Sequence, residues 1–110
     1  MKKVVIIVGL FFSCWAHAYQ AHLCESDALQ RARPLLTLHI GEDDRMSFSD
    51  RAEVLPSIKN PANAKQQLAV LEVNASVYKG QYRMRFIYYV MPDSKECLLM
   101  GQEILELANV

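Results

Sequence analysis

One hundred and ten residues with 12 basic and 12 acidic side chains give a chain of zero formal net charge, long enough for one domain. That balance excludes the basic footprint of a nucleic-acid binder and the polybasic patch of a protein drawn to anionic membranes. The 4 glycines stand singly, so no glycine-rich loop is present to cradle a phosphate.

The chain opens on Lys2 and Lys3, runs through an apolar stretch from Val4 to Phe12, and reaches Ala16-His17-Ala18. Basic, apolar and A-x-A segments in that order predict a cleavable export signal over residues 1–18 and one small domain over 19–110. The apolar run is shorter than the roughly 20 residues a membrane span needs, and no later stretch reaches that length. The short lysine-headed signal is of bacterial type and points to the periplasm or to secretion. Lipoprotein processing at Cys14 is the rival, but Phe11 stands where a lipobox usually carries leucine. Loss of Lys2 and Lys3 with the signal leaves 10 basic against 12 acidic residues, a net charge of −2.

Removing the signal also leaves two cysteines, Cys24 and Cys97, in a compartment where thiols oxidise, so a disulfide is predicted between them. Their spacing is far from the C-x-x-C of redox-active pairs, which makes the bond structural.

Ser26 or Asp27 is the predicted cap of a helix carrying Ala28, Leu29 and Ala32 on one side, with Pro34 ending it. Leu36, Leu38 and Ile40 then alternate with polar residues, as do Met46 and Phe48 beyond the loop 41–45. Two short strands follow from that pattern, with Ile40 opposite Met46 and Leu38 opposite Phe48; a helix running on through Leu35 to Ile40 is the rival. Residues 51–63 contain Val54, Leu55 and Ile58 but also Pro56, and read as an edge strand or irregular cover ending in the turn Asn60-Pro61-Ala62-Asn63. A hairpin of Gln67–Tyr78 and Gln81–Met91 flanks a Lys79-Gly80 turn. Its predicted register sets Val77 against Tyr82, Val73 against Phe86 and Leu71 against Tyr88 on an apolar face. Cys97 to Leu107 forms the last strand, with Cys97 beside Val90 and Gly101 beside Phe86.

The predicted fold class is α+β: an N-terminal helix packed on a curved antiparallel sheet of four to five strands, held by one disulfide. This helix-then-sheet order resembles cystatin-like folds. The Gln-x-Val-x-Gly inhibitory motif is absent; the nearest stretch, Gln67-Leu68-Ala69-Val70-Leu71, has no glycine. The resemblance therefore implies architecture and not protease inhibition.

No catalytic constellation emerges. His39 with Asp43 or Asp50 lacks a local nucleophile motif. His39, Glu42, Asp43 and Asp44 lack the spacing of a calcium loop, so no metal and no cofactor is assigned. Arg83 and Arg85 alternate with Met84 and Phe86, which sends cations and aromatics to opposite faces and argues against single-stranded nucleic acid.

The informative feature is the second face of the hairpin. Leu68, Val70, Ile87, Tyr89 and Met91 gather at the end away from the turn, beside Glu72 and Arg85. A solvated sheet face does not normally carry five large apolar groups. Residues 51–63 are expected to fold over them; failing that, the patch is an interaction site. The functional expectation is a non-enzymatic exported binding module that meets a partner protein, or a second copy, through its sheet. The alternative is an inhibitor or immunity protein against an envelope-acting hydrolase, acting through the acidic loop 42–44 or the Lys79-Gly80 tip.

Overall fold

The computed structural model describes residues 20–108; the predicted export signal and Cys14 lie outside the described residues. A helix, α1 (Glu25–Ile40), is followed by five strands: β1 (Met46–Phe48), β2 (Glu53–Asn60), β3 (Asn63–Val77), β4 (Gly80–Val90) and β5 (Cys97–Leu107). The strands form one antiparallel sheet ordered β1-β3-β4-β5, with β2 also paired to β3. β1 lies against the end of β3 near the hairpin turn and β2 against its start, so the two share one edge. The α+β class, the antiparallel sheet and the Cys24–Cys97 disulfide agree with the sequence reading.

Two features of the predicted fold are corrected. The helix occupies residues 25–40 and not the N-terminus of the chain, and the sheet is mostly flat, not curved. Curvature comes from bulges repeated along neighbouring strands. The central β3–β4 ladder pairs without interruption from Ala69↔Tyr88 to Val77↔Gly80, so nothing bends the middle of the sheet.

The helix also runs through Pro34, and the strand expected over residues 36–40 is its last turns. Proline inside a helix costs about 3 kcal/mol. Here Pro34 is exposed, so the carbonyl it leaves without a partner meets water. Continuing the helix places Leu36 four residues after Ala32, which follows Ala28 and Cys24 at the same spacing, and all four are buried. Burying Leu36 returns about 2–3 kcal/mol. A strand over 36–40 would in addition need a sheet edge, and the edge of β3 is already taken by β1 and β2. The helix stops instead at Gly41, whose φ of 88° suits glycine and whose N–H donates to the Thr37 carbonyl at 2.8 Å. Its start is also two to three residues earlier than predicted. The capping position is Cys24, without a side-chain cap, and Ser26 and Asp27 lie within the first turn.

The core lies between α1 and one face of the sheet. Cys24, Ala28, Ala32 and Leu36 meet Leu71, Val73, Met84, Phe86 and Tyr88, all essentially inaccessible to water. The small residues on the helix let it approach a sheet face filled by large ones. The disulfide joins the residue before α1 to the first residue of β5, with Cα atoms 5.8 Å apart. A polar tie runs parallel to it: the Tyr88 hydroxyl donates to Asp27 Oδ2 at 2.7 Å, and Arg31 Nε donates to the same oxygen at 2.6 Å.

Burial, followed by the bond to Asp27, raises the Tyr88 pKa. Desolvation pushes the Asp27 carboxyl up, but Arg31 and Tyr88 together hold it below its ordinary value of 3.8. A depressed folded-state pKa stabilises above the unfolded value and is lost as pH falls through the folded one. The tie therefore weakens below about pH 4 and is complete at neutral pH. Tyr88→Phe is expected to cost about 1–2 kcal/mol in urea unfolding at pH 7, with a smaller difference from wild type at pH 3. An equal difference at both pH values would show that Asp27 does not carry the effect.

The hairpin register is corrected by two residues. The turn is Tyr78-Lys79, with Tyr78 at φ 54°, and Val77 pairs with Gly80. Ala75 thus meets Tyr82, and Val73 meets Met84. A shift of two keeps every side chain on its predicted face, so the apolar faces are unchanged. Gly80 serves space and not positive φ: a Cβ there would lie 3.1 Å from the Tyr82 ring. In β5, Cys97 pairs with Val90 as predicted. A bulge between Leu99 and Gly101 then moves Gly101 opposite Ile87 instead of Phe86.

Candidate functional site

The outer face of the sheet, opposite α1, is where the sequence-derived patch falls. Cross-strand pairing arranges it in rows. Leu55, Val70, Ile87 and Gly101 form one row, and Glu53, Glu72, Arg85 and Glu103 the next toward the turn. Ile58 pairs with Leu68 in the row beyond, where Tyr89 pairs with Leu98.

The expectation that residues 51–63 fold over this face is overturned, and the edge-strand reading of that segment holds. β2 lies in the plane of the sheet as the neighbour of β3 and adds Leu55 and Ile58 to the same face. The reason is the Pro61-Ala62 turn, which reverses the chain in two residues and brings Asn60 against Asn63. With so short a connection the two segments must pair edge to edge. The signal was present in the Asn60-Pro61-Ala62-Asn63 turn, and Leu55, Ile58 and Leu98 are the patch residues that sequence reasoning missed.

The patch residues differ in how far they reach water. Leu68, Val70 and Glu72 are buried between the rows of their neighbours, whereas Ile87, Tyr89 and Met91 are half-exposed and Ile58 and Leu98 exposed. The surface is therefore an apolar floor with raised aliphatic and aromatic groups. The helix α1 packs on the opposite face.

Glu72 is not at the rim, as predicted, but beneath it, with its side chain 6% exposed. Arg83 Nε lies 2.7 Å from Glu72 Oε2 and Arg85 Nε 3.9 Å from the same oxygen. Neither donor is aligned as a hydrogen bond, so the contact is one of charge. Arg85 also reaches Glu103 at 3.9 Å. The two guanidinium groups, each about 40% exposed, border the apolar end with cationic edges.

The other sequence candidates lie elsewhere. His39 is on the helix, exposed, with its ring edge-on to Tyr82 at 6.1 Å. In the acidic loop, Arg45 donates to both oxygens of Asp43, and its backbone N–H donates to Oδ1 at 2.9 Å; these bonds lower the Asp43 pKa to about 2. Glu42 accepts from the Thr37 hydroxyl at 3.1 Å. At the hairpin tip Tyr78 is 71% exposed, with Arg45 and Lys79 over its ring at 5.0 and 5.5 Å. Glu25 accepts from Arg51 and from the Ala52 backbone N–H, pinning the 49–52 segment to the helix start. The described helices include none long and apolar enough to cross a membrane. No family model, no curated protein and no solved structure matches this chain.

Proposed function

We propose that this chain is a non-enzymatic exported binding module that docks a partner protein, or a second copy of itself, on the outer face of its sheet. The observation that carries this reading is the contiguous group of Leu68, Val70, Ile87, Tyr89 and Met91, joined by Ile58 and Leu98 and bordered by Arg85. Interfaces favour this composition: a desolvated apolar centre, an aromatic anchor and arginine at the edge.

A photocrosslinking residue placed at Tyr89 in the intact envelope is expected to yield a covalent adduct, whose mass separates a second copy from a different protein. The same residue placed at Leu23, exposed but before the helix, is the control. Adducts of equal yield from both positions, or none from position 89, would remove the outer face as the docking site.

A second reading, an inhibitor or immunity protein, has its own support in the tip. Tyr78 stands out from the sheet, held by two cations, as a rigid aromatic group suited to entering a cleft. Loss of protection on Tyr78→Ala, with Tyr89→Ala silent, would favour it.

A further inference from the structure

The two edges of this sheet are built differently. One edge is interrupted: β1 has 3 residues, and β2 carries Pro56, Lys59 and register shifts. Those are the devices by which sheets refuse additional strands. The other edge is β5, 11 residues long, containing no proline, lysine or arginine, and among the described residues paired only to β4. A bulge at Met100 divides it, but residues 101–107 pair with β4 in one unbroken register. That stretch offers a regular row of free backbone donors and acceptors.

Both sides of this edge carry apolar groups. On the outer face Leu105 is 54% exposed and Leu98, beyond the bulge, 41%; Met100, in the bulge itself, is 50% exposed. On the helix side a groove of about 390 Å³ runs between α1 and β5, lined by Pro34, Leu35, Leu38 and Gln102 with the Asp27–Arg31 pair at one end. Leu38 is 83% exposed there. One more strand beside β5 would pair the free backbone, set one row of side chains into the groove and the other against Leu105.

We infer that residues 101–107 of β5 form a strand-addition site for an extended segment of a partner protein, with apolar residues facing the helix groove and lysine or arginine facing Glu103. Charge selects this occupant over a second copy. The only charges on β5 are Glu103 and Glu106, on opposite faces, and Glu103 is 62% exposed. Two copies of β5 paired antiparallel would place four glutamates in one short ladder with no cation among them, whereas a strand with lysine or arginine on its outer row meets Glu103 with the opposite charge. Main-chain pairing supplies affinity in this mode, and the alternating side chains supply selectivity.

The inference rests on the reading of the chain as an interaction module, but not on the outer-face patch. Its test uses natively exported, disulfide-bonded protein and a blocked peptide of about nine residues alternating valine and lysine. The peptide is expected to slow amide exchange across residues 101–107 and to leave β2 unchanged. Glu103→Lys is expected to weaken peptide binding about tenfold, and a valine–glutamate peptide to reverse that preference. A peptide N-methylated at alternate amides is expected to give no protection, since its donors are blocked.

Protection on β2 in place of β5, equal binding of lysine and glutamate peptides, or unaltered binding of the N-methylated peptide would overturn strand addition. An adduct at Tyr89 together with an unprotected β5 overturns strand addition alone. A protected β5 with no adduct at Tyr89 overturns the outer-face reading alone.

Discussion

Replacing Cys24 and Cys97 together by alanine is expected to lower the unfolding free energy by about 4 kcal/mol. The bond closes a loop with a sequence separation of 73, and the unfolded chain gains conformational freedom when that closure is lost. Small domains are stable by about 5–15 kcal/mol, so this one link carries a large share of the whole. Alanine is the better replacement at position 24, because the site is fully buried and a serine hydroxyl there would have no partner. The location of the bond adds a local effect. Cys24 precedes the helix and Cys97 begins β5, so its loss frees the start of the helix and the edge strand at once. Urea unfolding of the double variant measures the global term, and amide exchange along β5 measures the local one. A loss below about 1 kcal/mol would mean that packing, and not the covalent link, holds the two ends together.

Leu36→Ala is expected to cost about 2–5 kcal/mol, while Leu38→Ala two residues away stays within about 0.5 kcal/mol. The alternation of Leu36, Leu38 and Ile40 assigns all three to one face of a strand. In the helix they point in different directions: Leu36 is fully buried beneath the sheet, and Leu38 is 83% exposed. Two leucines in one short run should therefore differ by several-fold in their cost. Thermal or urea unfolding of the two single variants decides the matter, and equal costs would contradict the helix beyond Pro34.

These cases show which features were legible in the residues. The cysteine pair could be read because only two thiols remain once the signal is set aside. The faces of the β3–β4 hairpin could be read because alternation has a period of two, and a slip by one residue would drive Arg83, Arg85 and Glu72 into the core. The same period hides a slip by two. The predicted register set Glu72 against Ile87, and the observed one sets it against Arg85 with Arg83 close by. Apolar alternation does not distinguish the two arrangements; pairing a buried carboxylate with two guanidinium groups does. The space that Tyr82 needs over Gly80 acts in the same direction. A strand over 36–40 is preferred to the continuing helix when proline is read as a stop, but burial of Leu36 offsets its cost.

By itself the sequence determined an α+β chain with one disulfide and a hairpin whose two faces differ in polarity. Cysteine number and side-chain alternation are properties of the residues in order, and they need no knowledge of neighbours. The tertiary structure decided that Pro34 lies within the helix, that β2 joins the sheet instead of roofing it, and that among the described residues β5 is left as an open edge. Each of those outcomes depends on which backbone edges are already occupied. That competition for hydrogen-bonding partners exists only once the strands have been brought side by side.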